Sequence, residues 1–224
     1  MRRNASGEHE RYKEASDTAH LRKPSVQQRS LIRRVIAGVS LLLIAQPAWA
    51  HSGTGLPGGF VAGVEHPLTG PDHMLAMASV GLWGHFLGRP LVYLLPMVFP
   101  IMMAIGAGVG IAGVSLPPVE LGIALSICVL GALILGAVRA PVLVACAVVG
   151  VFALFHGYAH GVELPSAADP IGYSLGFVLA TGSLHVAGIA TGSLAILPRG
   201  ETMLRGLGAA VLAAGLWFLW MAWP

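Results

Sequence analysis

Charge is scarce in this chain. Only 10% of its 224 residues are charged, against 55% hydrophobic residues and a mean hydropathy of +0.76, which excludes an ordinary soluble domain and leaves an integral membrane protein. Nine of the 13 Lys and Arg lie within residues 1–34, so the basic pI of about 9.2 belongs to the head of the chain. Beyond residue 50 the cations are Arg89, Arg139, Arg199 and Arg205, set against Glu65, Asp72, Glu120, Glu163, Asp169 and Glu201. Four against six leaves a formal charge of −2 there, and nucleic-acid binding has no support. Cysteine occurs twice, as Cys128 and Cys146, both mid-segment. They are expected as small buried hydrophobes rather than a disulfide, with thiolate ligation left open. No nucleotide-binding motif is visible, so coupling to ATP would need another subunit.

What remains is a membrane scaffold. Residues 1–30 are polar with no sustained apolar period and are expected to be a disordered N-terminal extension. Residues 31–50 follow as a signal peptide or an uncleaved anchor: Arg33 and Arg34 precede the apolar run Val35–Ala45, and Ala48-Trp49-Ala50 offers a small-x-small cleavage site before His51. Residues 51–224 then form the membrane domain, with six apolar segments at 71–88, 91–114, 119–138, 141–160, 171–197 and 203–223. The fold class expected is an all-α membrane protein, a six-transmembrane helix bundle after an N-terminal signal peptide. Its first span is broken by Pro67, Gly70 and Pro71. With His51 outside, Arg89, Arg139 and Arg199 all fall in inner connections and the outer ones hold only acids, as the positive-inside rule requires. Trp217, Trp220 and Trp223 gather near the outer end of the last span, where they suit either an interfacial anchor or plain lipid contact. Gly106/Gly110 and Gly172/Gly176 have the small-xxx-small spacing of closely packed helices.

Histidine is the residue that stands out. Seven of the nine lie after residue 50, in or beside apolar segments, where an ionisable group is costly unless it has work or a partner. In FHGYAHGVE, His156, His160 and Glu163 are spaced by four and three residues, which puts them on one helix face. Asp72 and His73 are adjacent, so both can ligate, or the carboxylate can orient the imidazole by accepting its second N–H. Topology brings His66, Asp72 and His73 at the start of the first span to the same side as His156, His160 and Glu163 at the end of the fourth. His185 lies about halfway along the fifth. The metal-ligand candidates are therefore His66, Asp72, His73, His156, His160, Glu163 and His185, forming an outer vestibule with one deeper station. Two further ligand candidates are His85, near the inner end of span one, and His51, whose α-amine and imidazole would chelate together if the signal is cleaved.

Imidazole with carboxylate suits Ni²⁺, Co²⁺, Zn²⁺ or Cu²⁺ and disfavours Mg²⁺ and Ca²⁺. Met74 and Met77 flank the site and are read as packing. Two other readings stay open. One is an intramembrane metal-dependent hydrolase with Glu163 or Asp72 as base, although no His-Glu-x-x-His pair is present. The other is a structural or haem-binding membrane protein using a pair such as His156 and His185.

The stretches from His66 through Asp72 and His73 to Met77, then Val80-Gly81-Leu82-Trp83, Phe155 to Glu163, and Gly176-Phe177 with Thr181 and Leu184-His185 resemble the HupE/UreJ family of hydrogenase and urease accessory membrane proteins. The His-x5-Asp-His spacing from His66 to His73 is also similar to the first-helix signature of nickel/cobalt permeases. What the resemblance implies is a secondary transporter, not an enzyme, with no prosthetic group. Its cargo would be Ni²⁺, or Co²⁺, taken up across the bacterial inner membrane for hydrogenase or urease maturation. The implied partners are the ion and the lipid bilayer, with self-association left open, and both mature termini would face the periplasm.

Overall fold

The break in the first polar stretch falls at Gly70. In the computed structural model, which describes residues 59–116, 118–163 and 169–223, helix α1 (Phe60–Thr69) ends there and α2 (Pro71–Leu87) begins one residue later. Gly70 leaves the helical region, at φ −83° and ψ 105°. Pro71 then opens α2 at its first position, where the ring presets φ and no N–H is needed. Pro67, expected to interrupt the segment, instead sits inside α1 near its end, where one lost amide donor is tolerated. The short helix α1 was not anticipated. Residues 1–58 lie outside the described set, and with them the N-terminal extension, the signal peptide and His51.

The remaining elements are α3 (Leu91–Ile111), α4 (Val119–Leu135), α5 (Val142–Glu163), α6 (Pro170–Gly192) continued by a 3-10 turn (Ser193–Ile196), and α7 (Gly200–Ala222). No strand occurs among the described residues. Their limits fall within a few residues of the apolar segments. Four runs are long and apolar enough to cross a bilayer by length and composition: Leu91–Ile111, Val142–Val162, Pro170–Ile196 and Gly200–Ala222. The other two are shorter, α2 and α4 having 17 residues each, about 25 Å of rise. Exposed apolar side chains cover the outside, with Leu143 81% and Ile171 75% exposed. An apolar exterior over an all-helical body is that of a multi-pass membrane protein.

Helix α2 lies at the centre, touching α1, α3, α4, α6 and α7, and its Ala76, Met77, Val80 and Trp83 are fully enclosed. Trp83 Nε1 donates to the Val138 carbonyl at 3.1 Å, tying the far end of α2 to the α4–α5 connection. The Arg205 guanidinium caps the end of α4 through Nε to the Leu135 carbonyl at 2.8 Å. Around α2 the other helices pair off, α3 with α5, α4 with α7, and α6 with both α1 and α2.

The α3–α5 pair is sealed by glycine from both sides. A Cβ on Gly106 would run into the Leu154 carbonyl and one on Gly110 into that of Tyr158, while on α5 Gly157 and Gly161 lie against the carbonyls of Met103 and Ala107. The expected small-xxx-small face is thus answered by a second one, and both glycines of α5 immediately follow a histidine. Because successive residues turn by about 100°, the face that seats α5 on α3 sits beside the face that carries His156 and His160. Gly106→Ala is therefore expected to cost about 1–3 kcal/mol through overpacking. Gly108→Ala, on the same helix with open space around its Cβ, should cost nothing comparable. Thermal unfolding in detergent checks the pair.

Candidate metal centre

Three helices bring four of the histidines together. His66 comes from the last turn of α1, Asp72 and His73 from the first turn of α2, and His156 and His160 from the end of α5. Their rings form a continuous chain: His66 to His160 at 4.8 Å between centroids, His160 to His73 at 4.7 Å, and His73 to His156 at 4.9 Å. His66 and His73 are 6.1 Å apart. His73, His156 and His160 are buried, while His66 and Asp72 are half-buried at the edge. The break at Gly70 makes this arrangement, since it turns the chain between His66 and His73 and points both at α5.

Asp72 serves His73 twice. Its Oδ1 accepts the His73 backbone N–H at 2.8 Å and lies 2.9 Å from Nδ1 of the same residue's ring. A carboxylate only accepts, so Nδ1 carries a proton, and in the neutral ring Nε2 then holds the lone pair. That Nε2 is buried and makes no hydrogen bond among the described residues. An oriented imidazole with an uncommitted ring nitrogen is a metal ligand, or a proton acceptor, in waiting.

Aromatic rings wall the cluster. Phe177 of α6 lies 4.4 Å from the His160 ring and 6.0 Å from that of His66, and Tyr173, one turn earlier, is 6.0 Å from His66. A cavity of about 120 Å³ between α3, α5 and α6 reaches His160, bordered by Met103, Gly157, Tyr173 and Phe177, and is roomy enough for water. Phe99 of α3 lies 5.7 Å from His156 and 5.2 Å from His185. His185 is therefore separated from the other imidazoles by the Phe99 ring. Neither of its ring nitrogens, nor Thr181 Oγ1 one turn away on the same face of α6, has a hydrogen-bond partner among the described residues.

Of the remaining candidates, Glu163 ends α5 three residues past His160, and its side chain lies outside the described residues. His85 stands apart, about 18 Å along α2 from His73, with its ring against Gly192. Cys128 and Cys146 are both free thiols; Cys128 is buried as expected, whereas Cys146 is only half-buried. Among the described residues no three His, Cys, Asp or Glu side chains converge as a closed metal cage. The arrangement is a file of neighbouring imidazoles.

Residues 39–218 match the family described as HupE / UreJ protein. The chain belongs to the HupE/UreJ family. Protein HupE of Rhizobium leguminosarum bv. viciae is 45% identical over 177 residues, covering 79% of this chain and 93% of the relative. No solved structure matches. The HupE/UreJ match spans α1 through most of α7, so it takes in every element that contributes to the histidine file.

Sequence reasoning gave no role to Phe99 or to Ser126, whose hydroxyl lies 3.1 Å from His156 Nε2, because neither stands out within its apolar run. It also passed over Tyr173, although Tyr173, Phe177, Thr181 and His185 recur every fourth residue and that stripe on α6 was readable as a single face. If Asp72 orients His73 for ligation, Asp72→Ala should weaken equilibrium Ni²⁺ binding by about 10- to 100-fold, while His85→Ala leaves it within about twofold. Equilibrium dialysis on the detergent-solubilised protein measures both.

Proposed function

We propose that this protein is a secondary permease that carries Ni²⁺, or Co²⁺, inward across the bacterial inner membrane to supply hydrogenase or urease maturation. The observation that carries the reading is the file of four imidazoles from three helices, with neighbouring rings 4.7–4.9 Å apart and one of them oriented by Asp72. Membership of the HupE/UreJ family supports the accessory role. Transport suits a polar file threaded through an apolar bundle.

In this reading there are six crossings, α1 and α2 in series making the first. The 17 residues of α4 match a locally thinned bilayer. Arg89, Arg139 and Arg199 lie in alternate connections, and the positive-inside rule supports a cytoplasmic side for those connections, with the His66 end outside. A hydrated ion sheds water at Asp72 and His73 with help from His66, passes His160 and His156, and reaches His185 beyond Phe99. Glu163 adds a carboxylate at the mouth. An inside-negative potential of 100 mV favours inward movement of a divalent ion by about 4.6 kcal/mol across the full field, so no ATP step is needed.

Proteoliposomes test this directly. Radioactive nickel uptake should be inhibited by Co²⁺, unaffected by Mg²⁺, and abolished by His73→Ala. Absence of uptake from folded protein under an imposed potential or pH gradient would remove the permease reading. His185→Ala separates the two stations: Ni²⁺ should still bind the outer imidazoles with nearly wild-type affinity, while uptake falls at least about tenfold. Equal loss of binding and uptake would place His185 in the outer site instead.

A further inference from the structure

His156 is fully buried, and its ring nitrogens differ. Nε2 lies 3.1 Å from Ser126 Oγ on α4, whereas Nδ1 has no hydrogen-bond partner among the described residues. Which nitrogen carries the proton follows from what the hydroxyl does with its own. Ser126 Oγ stands 2.6 Å from the carbonyl oxygen of Ile123, three residues back on α4. Two oxygens that close require a hydrogen between them, so the hydroxyl donates to Ile123. Only its lone pairs then remain for His156, and a lone pair needs an N–H opposite it. Nε2 is the protonated nitrogen.

We propose that Ser126 is a positioning residue that holds His156 in the Nε2–H tautomer, leaving the Nδ1 lone pair as the nitrogen His156 offers to a transition-metal cation. This rests on the permease reading for the identity of the ligand, but the tautomer itself does not. The lock has the opposite sense to the one at His73, where Asp72 keeps the proton on Nδ1 and frees Nε2. Neighbouring imidazoles thus present different nitrogens, each fixed by a side chain that is itself held, Ser126 by Ile123 and Asp72 by the His73 backbone amide.

The packing of α4 shows how the hydroxyl is brought into register. Gly122, one turn before Ser126, has no side chain, and the Phe155 ring occupies the place where a Cβ would stand. Phe155 and His156 are consecutive on α5, so the same contact that seats Phe155 against Gly122 aligns Ser126 with the neighbouring imidazole. Ser126 is fully buried, and a hydroxyl in an apolar helix has to be answered locally. Ile123 alone answers the donor. His156 uses the acceptor.

Solid-state ¹⁵N NMR of the labelled full-length protein in lipid bilayers, free of metal and at neutral pH, reads the tautomer, with the His156 ring assigned through its own backbone correlations. The expected spectrum has a protonated Nε2 and an unprotonated Nδ1 in one tautomer. In Ser126→Ala both tautomers should appear, within about threefold of each other, and half-saturation of nickel uptake should rise by about tenfold, the lower end of what an orienting partner contributes. An Nδ1–H tautomer in the unaltered protein, or a single Nε2–H tautomer persisting in Ser126→Ala, overturns the proposal even if uptake falls, since the fall would then come from packing. Added Zn²⁺ separates the two levels. A shift of the His156 Nδ1 resonance supports both, whereas a single Nε2–H tautomer that Zn²⁺ leaves unmoved upholds the Ser126 lock and removes the metal reading beneath it.

Discussion

A polar side chain inside an apolar helix bundle must be answered at short range, because no solvent is there to answer it. That constraint shapes most of what is particular about this protein. Asp72 accepts from the His73 backbone and ring, and Ser126 donates to the Ile123 carbonyl while accepting from His156. In each case one ring nitrogen is satisfied and the other is left uncommitted in a buried place. Leaving such an atom unpaired costs on the order of 1–3 kcal/mol. At His73, His156, Thr181 and His185 such atoms have no hydrogen-bond partner among the described residues, and stability is forgone at each. The cost falls where an ion or its water would repay it.

Bringing the helices close enough to set these side chains together is a separate problem, and glycine solves it. Lipid offers no hydrophobic drive between helices, so association depends on close van der Waals approach. The α3–α5 seam places backbone on backbone through Gly106, Gly110, Gly157 and Gly161, and the α2–α6 seam does so through Gly81 against the His185 carbonyl and Gly188 against that of Ala78. Each seam holds a histidine-bearing stretch. The motif FHGYAHG therefore has two functions interleaved, one residue apart: imidazole toward the file, hydrogen toward the neighbouring helix. A change at either glycine would move the imidazoles before it touched any of their chemistry.

The sequence made the helical class, the limits of the apolar segments and the membership of the histidine cluster legible, because hydropathy and 3.6-residue spacing are local properties. His66, Asp72, His73, His156 and His160 were expected together and are together. The break near Gly70 was also readable, though not that Pro67 would remain helical or that ten residues before it would form α1. Those depend on how α1 lies against α6, which no local pattern encodes. Ser126 and Phe99 were illegible for the same reason. A lone serine or phenylalanine in an apolar run looks like any other residue of a span until the partner helix is in place, and only then does Ser126 meet His156 and Phe99 come between His156 and His185.

On the permease reading, an ion must be held at each station and released to the next. Four-coordinate nitrogen and sulfur sites hold divalent transition metals too tightly to release on a transport timescale. A file in which each imidazole neighbours the next at just under 5 Å between ring centres permits hand-over instead, one ligand being gained as another is lost. Oriented tautomers matter most in that regime. A ligand that must first exchange its proton between ring nitrogens adds a barrier at every step, whereas one already holding its lone pair free adds none. On the permease reading, Asp72 and Ser126 would each remove that barrier at one station. Phe99, with no donor to offer, has its ring 5.7 Å from His156 and 5.2 Å from His185. An ion handed from one of these imidazoles to the other would have to pass that ring, a step to which Phe99 contributes no ligand.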